Sequence, residues 1–518
     1  MENTTINNDI INTIEMKNIK KTFGTVIANN NVNLSIRKGE IHALLGENGA
    51  GKSTLMNMLS GIYKPDGGHI FIKGKEAHFK SPKDAIELGI GMIYQHFKLV
   101  EVMTAAENIV LGQRKGFFVN KKALNKEILE VSEKFGLDVD PEKKVYDMSV
   151  GERQTLEILK VLYRGADILV LDEPTAVLTP QETEKLFAIM LKMKETGCSV
   201  VFITHKMNEV MEVADRITVL RKGETVGTVE KCGTSPKMLA ELMVGRPVVL
   251  EINRLNNEKG KEILKVKNLN AVNVYNKEVL KDVSFDLRSG EILGVAGVAG
   301  SGQKELCEAI AGLYKVKSGD IIFQEESIKG FSPMDIIKKG VSFSFVPEDR
   351  LGMGLVASMG MVDNIVLKQY QKQKGFWIDR KPSIEKACQI KERLNIYTPN
   401  IYHPVRMLSG GNIQKVLLGR ELDCNPELLI TAYPVRGLDI NTSYAIYDLL
   451  NEQKANGVAI LFIAEDLDVL IGLSDRVMVM YDGAIAGIMD ADKVTKEQLG
   501  MLMTGNKLGE EMEVLECS

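Results

Sequence analysis

The sequence predicts a duplicated α/β fold, in which two related domains each contain a mainly parallel sheet covered by helices. Three observations predict it: segments recur in the same order in both halves, short apolar runs alternate with helix-forming stretches, and a polar segment separates the halves. A chain of 518 residues is also too long for one hydrophobic core, so two or more domains are expected.

The repeat is clearest in two pairs of segments. KGEIHALLGENGAGKS at 38–53 recurs as SGEILGVAGVAGSGQK at 289–304, and MSVGERQ at 148–154 matches LSGGNIQ at 408–414. Collinear matches at nearly constant spacing indicate duplication of a whole domain rather than of a short motif.

The matched segments and the polar stretch between them set the expected domain boundaries. The segment EINRLNNEKGK is polar and charged and lacks apolar periodicity, which is typical of an exposed linker. We therefore expect a first domain at 15–249, a linker at 250–261 and a second domain at 262–508.

Within each half the apolar runs have the length and composition of buried strands. EIHALLG, DILVLDEP, SVVFITH and RITVL are short, rich in β-branched residues and bounded by polar residues. Near-continuous apolar strands favour a parallel sheet that is covered on both faces. The charged stretch KKALNKEILEVSEKFGL at 121–137 predicts a helical insertion into this core.

Bulk composition excludes several classes of protein. Hydrophobic residues make up 44% of the chain, charged residues 26%, and the net charge is −4, so a dedicated nucleic-acid binder is not expected. No run approaches the roughly 18 apolar residues that span a bilayer, and the first residues lack a secretory signal. The expected location is the cytoplasm. The six cysteines are scattered without metal-ligand spacing.

The segment from Gly46 to Ser53 fits the pattern GxxxxGK[ST] and directly follows the strand-like IHALL. Glycines let the backbone N–H groups wrap a phosphate closely, and the following helix adds its positive N-terminal dipole. Lys52 supplies positive charge to the β- and γ-phosphates, and the Ser53 hydroxyl can ligate Mg²⁺. The candidate phosphate-binding residues are Gly46, Glu47, Asn48, Gly49, Ala50, Gly51, Lys52, Ser53 and Thr54.

A pair of acids, Asp172 and Glu173, follows the apolar run ILVL. A carboxylate at the end of a buried strand is costly unless it meets a cation. Asp172 is therefore the candidate Mg²⁺ ligand, with Ser53, and Glu173 is the candidate base that polarises the attacking water.

These motifs, in this order, resemble an ATP-binding-cassette domain twice over, across nearly the whole chain. The resemblance implies two P-loop NTPase domains of the ABC type, with ATP and Mg²⁺ as cofactors. It also implies that Phe23 stacks on adenine, that Gln95 contacts the metal and water, and that His205 holds the γ-phosphate. The catalytic candidates are then Glu173, His205, Gln95 and Lys52.

The second half departs from the pattern at the positions where catalytic and metal-binding residues are expected. The glycines of its loop remain at Gly297, Gly300 and Gly302, so a phosphate cradle without a metal ligand or base is expected. The substituted positions, given as second-half residue for first-half residue, are Gln303 for Lys52, Lys304 for Ser53, Glu348 for Gln95, Ala432 for Asp172, Tyr433 for Glu173 and Glu465 for His205.

In the signature segments, by contrast, the second half is closer to the family pattern than the first half. Ser409, Gly410, Gly411 and Asn412 stay close to the family's LSGGQ, whereas the first half places Val150 where a glycine is expected. In this family each ATP lies between one phosphate loop and the opposite signature. The resemblance therefore implies one competent site, from the first-half loop and the second-half signature, and one degenerate site.

The segment VPEDR and the stretch YQHFKLVEVMTAAENIVLG at 94–112 resemble the ATP-binding subunits of bacterial sugar and nucleoside importers, and more closely the nucleoside, basic-membrane-lipoprotein branch. The partners this implies are two integral-membrane permeases and a substrate-binding lipoprotein, with the chain peripheral at the cytoplasmic face of the membrane. The alternatives are a ribose- or galactose-type sugar importer subunit, a soluble cassette ATPase acting on ribosomes or DNA, and a non-hydrolysing scaffold.

Overall fold

The protein is described here from a computed structural model. Its contacts divide the chain into two compact units, Met1–Val249 and Leu250–Ser518. The structure describes residues 12–24, 26–94, 97–112, 120–176, 178–247, 252, 254–255, 260–273, 276–338, 343–347, 349–370, 373, 377–424 and 426–506.

The first unit contains a mixed six-stranded sheet, a four-stranded antiparallel sheet and eight helices among its described residues. The strands are β1 (Asn12–Phe23), β2 (Val26–Arg37), β3 (Ile41–Leu45), β4 (Gly67–Ile72), β5 (Lys75–Glu76), β6 (Ile90–Ile93), β7 (Ile168–Asp172), β8 (Ser199–Thr204), β9 (Arg216–Arg221) and β10 (Glu224–Glu230). The helices are α1 (Lys52–Leu59), α2 (Pro82–Glu87), α3 (Ala105–Val110), α4 (Lys121–Phe135), α5 (Val150–Tyr163), α6 (Pro180–Glu195), α7 (Met207–Val213) and α8 (Pro236–Val244).

The second unit repeats this succession of elements. Its strands are β11 (Glu262–Val272), β12 (Glu278–Arg288), β13 (Ile292–Ala296), β14 (Val316–Phe323), β15 (Glu326–Ser327), β16 (Phe343–Val346), β17 (Leu428–Ala432), β18 (Ala459–Ile463), β19 (Arg476–Tyr481) and β20 (Ala484–Asp490). Its helices are α9 (Gln303–Ile310), α10 (Pro333–Lys338), α11 (Met361–Gln369), α12 (Lys381–Arg393), α13 (Gly410–Leu422), α14 (Ile440–Ala455), α15 (Leu467–Leu473) and α16 (Lys496–Met503).

The six-stranded sheets have the same topology in both units. The first has the order β10-β9-β3-β8-β7-β6, and the second has β20-β19-β13-β18-β17-β16. All neighbours are parallel except the outermost hairpins, β9 with β10 and β19 with β20. The predicted α/β fold with a mainly parallel core is therefore confirmed.

The central strands are buried because their side chains are apolar on both faces. Every residue of β3 and β8 is buried, as expected for a parallel sheet between helices. His42 is the polar residue of β3. Its Nδ1 lies 3.0 Å from Glu40 Oε1, and its Nε2 lies 2.8 Å from Thr218 Oγ1. A buried polar side chain is tolerated there because it is hydrogen-bonded.

Each unit also has an antiparallel sheet that the sequence analysis did not predict. Its order is β2-β1-β4-β5 in the first unit and β12-β11-β14-β15 in the second. The β1–β2 ladder is interrupted by several register shifts, so its apolar residues do not alternate regularly along the sequence. This irregularity hides the strand signal.

The predicted helical insertion is present as α4, between the phosphate-loop helix α1 and the signature helix α5. Leu124, Ile128 and Phe135 are buried along one face, at the spacing of an amphipathic helix. The Asn120 side chain caps its start, and Gly136, at φ 66°, ends it. Among the described residues, no helix is long and apolar enough to cross a membrane.

An ion pair fixes the entry to the central strand in each unit, but its burial differs. In the second unit Lys454 is fully buried and lies 2.7 Å from Asp475, which also accepts the Ile292 N–H at 2.9 Å. The equivalent Lys194 is 36% exposed and lies 2.6 Å from Asp215.

We expect Lys454→Met to lower the free energy of unfolding of the second unit by about 3 kcal/mol, because the partly buried Asp475 loses a fully buried partner. Lys194→Met is the matched control and should cost at most about 1 kcal/mol, because water screens the exposed pair. Urea unfolding gives the two values, and hydrogen exchange of β13 and β3 assigns each loss to its unit. Equal costs for the two substitutions would contradict this prediction.

Candidate functional site

The loop 46–51 joins the carboxyl end of β3 to the start of α1. Its glycines are required by close packing and by backbone conformation. A Cβ on Gly46 would lie 2.5 Å from the Leu220 carbonyl oxygen, and Gly51 has φ +98° with a would-be Cβ 2.4 Å from the Ala28 carbonyl oxygen. The loop therefore has the close-packed, left-handed geometry of a phosphate cradle at a helix N-terminus.

Lys52, at the first position of α1, is held inside this loop. Its side chain is buried, and Nζ donates to the carbonyl oxygens of Gly46 at 2.6 Å and Glu47 at 3.0 Å. Burial lowers the pKa of Lys52, and the carboxylates of Glu173 and Asp172 counter that shift. The ammonium group is thus positioned where an anion in the loop would meet it.

Asp172 ends β7 next to the loop, near the side chains of Ser53 and Lys52. Burial raises the pKa of Asp172, and the neighbouring Glu173 carboxylate raises it further, while Ser53 and Lys52 act in the opposite direction. A cation beside Asp172 would relieve the cost of the buried charge. The hydroxyl and carboxylate oxygens present are the donors that a hard divalent ion prefers.

Glu173 and His205 form a pair at the ends of adjacent strands. His205 Nδ1 lies 3.0 Å from Glu173 Oε1, and this hydrogen bond holds the pKa of Glu173 below its usual value despite partial burial. Glu173 has φ +46°, a strained value for a residue other than glycine, and its N–H donates to the Ile203 carbonyl at 3.0 Å. An ionised carboxylate is therefore held in a fixed orientation beside the loop.

The structure brings together most of the first-half residues that the sequence analysis selected. Residues 46–54 form the loop and first turn of α1, with Asp172, Glu173 and His205 beside them. Phe23 ends β1 and is 43% exposed, with its ring edge-on to that of Tyr63 at 5.2 Å and Lys21 Nζ 5.5 Å from its ring centre. Gln95 lies outside the described residues.

The second unit keeps the backbone of this site with different side chains. Gly300 and Gly302 have φ values of +88° and +100°, against +82° and +98° for Gly49 and Gly51. Gln303, the counterpart of Lys52, is buried and donates to the loop carbonyl of Val298 at 3.4 Å. The loop conformation therefore does not depend on the lysine charge.

The strained backbone at the end of the seventh strand is also repeated. Tyr433 has φ +51°, and its N–H donates to the Ile463 carbonyl at 2.9 Å, as Glu173 does to Ile203. The acids themselves are absent, because Ala432 and Tyr433 replace them.

The remaining counterparts of the catalytic residues make different contacts. Glu465, in the place of His205, lies 3.3 Å from Arg436, and Lys304, in the place of Ser53, lies 3.9 Å from Glu308. Glu348 lies outside the described residues. Carboxylates equivalent to Asp172 and Glu173 are thus missing from the second unit.

The two signature helices differ in what meets their N-termini. In α5 the Glu152 carboxylate accepts the Ser149 N–H at 2.7 Å, and the Glu182 carboxylate accepts the Gly151 N–H at 3.1 Å. These two negative charges occupy the N–H groups that an anion would use, so α5 is a poor phosphate site. Glu182 was not among the residues predicted from the sequence, although TPQE at 179–182 has the pattern of a capping box.

In α13 the equivalent positions carry neutral side chains. Asn412 donates to Ser409 Oγ at 2.8 Å, and Thr442 stands where the first unit has Glu182. Within the described part of the chain, no carboxylate accepts an N–H of Ser409, Gly410 or Gly411, and the first two are exposed. Among the described residues, the first N–H groups of α13 therefore lack the carboxylate caps of α5, although the Asp439 carboxylate lies near Gly411.

A family model and several similar proteins give the same family for this chain. A family model described as ABC transporter matches residues 29–176 and 280–434. The nucleoside import ATP-binding protein NupA of Lactococcus lactis is 45% identical, over 96% of this chain and 99% of that protein. The guanosine import ATP-binding protein NupO of Bacillus subtilis is 43% identical, over 95% and 97%. The glucose import ATP-binding protein TsgD13 of Haloferax volcanii is 38% identical, over 95% and 96%.

We expect Gly51→Ala to destabilise the loop far more than Gly49→Ala. Both glycines have positive φ, so each substitution should cost about 1–2 kcal/mol in backbone strain. Only Gly51 would also force a Cβ against the Ala28 carbonyl, whereas Gly49 has open space within 4 Å. Hydrogen exchange of the 46–59 peptide, together with the unfolding free energy, measures the difference. Indistinguishable variants would show that the Gly51 contact is not constraining.

Proposed function

The chain belongs to the ABC transporter family, and on this basis we propose that it is the ATP-hydrolysing subunit of a membrane importer for nucleosides. The observation that carries the proposal is the Glu173–His205 pair beside Asp172, Ser53 and the phosphate loop. This cluster provides an oriented base, a candidate metal site and positive charge at one edge of the sheet. A non-hydrolysing scaffold would not need all three.

Each residue has a separate part in the proposed hydrolysis. The loop N–H groups and Lys52 hold the phosphates, and Lys52 offsets the charge that develops during phosphoryl transfer. Glu173 is ionised near neutral pH because its pKa is lowered, so it can orient and deprotonate the attacking water. His205, hydrogen-bonded to Glu173, is positioned to meet the γ-phosphate.

The residues present fit Mg²⁺, with Ser53 and Asp172 as its protein ligands and Gln95 as a further candidate. Ser53 is near enough to Asp172 to lower its pKa, and the raised pKa of Asp172 as a whole comes first from burial of a carboxylate that a cation would favour. When bound, Mg²⁺ would neutralise charge on the β- and γ-phosphates.

We propose that only one ATP site of the protein is hydrolytic. The pairing of the first-half loop with Ser409, Gly410, Gly411 and Asn412 stays a prediction from the family resemblance. It is supported by the lack of such caps, among the described residues, on the first N–H groups of α13 and by the carboxylate caps on α5, which disfavour phosphate there.

Nucleosides are the substrate class that the relatives favour. The two nucleoside-import relatives are more similar to this chain than the glucose-import relative, and they match it over nearly its whole length. A sugar importer subunit is the second candidate, because ribose and xylose import ATP-binding proteins are also similar. A soluble cassette acting on ribosomes or DNA has no counterpart among these relatives.

The proposed partners follow from the import function. Two integral-membrane permeases would carry the substrate, a lipoprotein would deliver it, and this chain would sit peripherally at the cytoplasmic face. No nucleic-acid partner is proposed. Failure of this chain to copurify with integral-membrane proteins in the presence of ATP would argue against this assembly.

We expect Glu173→Gln to lower ATP turnover about 10²–10⁴-fold, because the base that accepts the proton is lost. Phosphate release by the purified full chain with Mg²⁺ and ATP measures it. Tyr433→Phe and Lys304→Ala are the matched controls in the second unit, and both should leave turnover unchanged. Normal turnover in Glu173→Gln would remove Glu173 from its assigned role.

We expect cells that lack this chain to lose uptake of a labelled nucleoside and to keep uptake of labelled ribose and glucose. The wild-type gene should restore nucleoside uptake, and a gene encoding Lys52→Ala should not, because the phosphates lose their cation. Loss of ribose or glucose uptake with nucleoside uptake intact would favour the sugar importer instead.

A further inference from the structure

Glu209 is a buried carboxylate that the proposed mechanism does not use. It lies in the first turn of α7, and both of its oxygens are hydrogen-bonded to threonine hydroxyls. Thr175 Oγ1 donates to Oε1 at 2.6 Å, and Thr204 Oγ1 donates to Oε2 at 3.3 Å. Both threonines are themselves buried.

The two threonines flank the two members of the catalytic pair. Thr175 follows Glu173 by two residues on the loop after β7, and Thr204 immediately precedes His205 at the end of β8. One carboxylate therefore connects the loop that carries the base with the loop that carries the histidine.

Lys206 adds two more contacts to the same cluster. Its N–H donates to Thr204 Oγ1 at 3.0 Å, and its Nζ lies 3.0 Å from Glu209 Oε1. The backbone on the far side of His205 is thus attached to the same hydroxyl and carboxylate. His205 is held between two residues whose positions depend on Glu209.

The second unit shows that the fold does not require this network. Val435, Ala464 and Val469 stand where the first unit has Thr175, Thr204 and Glu209. Ala464 is buried in the core of the second unit, and the two valines are partly buried against it. The backbone of the neighbouring loop is nevertheless the same, since Tyr433 repeats the positive φ of Glu173.

A role limited to helix capping does not explain Glu209. Its position near the N-terminus of α7 suits an acid, but no side-chain cap hydrogen bond forms there, and the N-cap residue is Lys206. Both carboxylate oxygens face the threonines instead. Burying a charge is costly, and apolar residues occupy the equivalent positions in the second unit.

We propose that Glu209 is a positioning residue for ATP hydrolysis, which fixes the separation and orientation of Glu173 and His205 through Thr175 and Thr204. The inference rests on the proposed hydrolytic role of that pair. Because Glu209 acts through Thr175, Thr204 and Lys206, its loss should lower kcat and leave the KM for ATP nearly unchanged.

The test replaces the three residues of this network with their counterparts from the second unit. The variant Thr175→Val/Thr204→Ala/Glu209→Val should keep its unfolding temperature within a few degrees while kcat of the full chain falls about 10- to 100-fold, as for a small misplacement of catalytic groups. Glu209→Gln, which retains one acceptor oxygen, should lie between wild type and Glu209→Val. Val469→Ala is the matched control and should leave kcat unchanged.

A double-mutant cycle separates positioning from general destabilisation. Single-turnover hydrolysis with excess full chain should show that Glu209→Val slows the His205→Ala variant much less than it slows wild type, since the two act through one unit. An equal slowing in both backgrounds, or wild-type kcat in the triple variant, would overturn the inference. Absence of hydrolysis in the wild-type chain, by contrast, would overturn the proposed function itself.

Discussion

The arrangement of parallel strands at the centre of each unit is the constraint on which the rest depends. β3 lies between β8 and β9, and β7 lies beside β8, so their carboxyl ends share one edge of the sheet at the interstrand spacing of about 4.8 Å. The phosphate loop, Asp172 with Glu173, and His205 follow β3, β7 and β8 directly. The order of the strands therefore brings together residues separated by more than 100 positions in the chain.

The second unit has the same sheet edge, but other residues stand there in place of the candidate catalytic side chains. The positive φ of Tyr433, its hydrogen bond to Ile463 and the φ values of Gly300 and Gly302 reproduce the first unit closely. Architecture and reactivity are therefore separable in this protein. The backbone conformation is set by the sheet and by glycine positions, whereas the proposed hydrolysis depends on a few carboxylate, imidazole and ammonium groups that the fold tolerates but does not need.

The sequence predicted those parts of the fold whose signals are local. The apolar strands β3, β7 and β8, the amphipathic α4 and the loop from Gly46 to Ser53 each depend on neighbouring residues. The antiparallel sheets were missed because their register shifts break the alternation. The cap from Glu182 to Gly151, 31 residues apart, and the Glu209 network were missed because partners from distant segments cannot be read from spacing alone.

The carboxylate caps on α5 have a consequence for energetics. A helix N-terminus already neutralised by Glu152 and by Glu182 of α6 gains little from a phosphate, so we expect the first-half signature to contribute little to nucleotide binding. With one hydrolytic centre, each cycle would release the free energy of a single ATP. That amount would limit the substrate concentration ratio that such an importer could maintain across the membrane. A second hydrolytic centre would raise this limit only by doubling the ATP used per cycle.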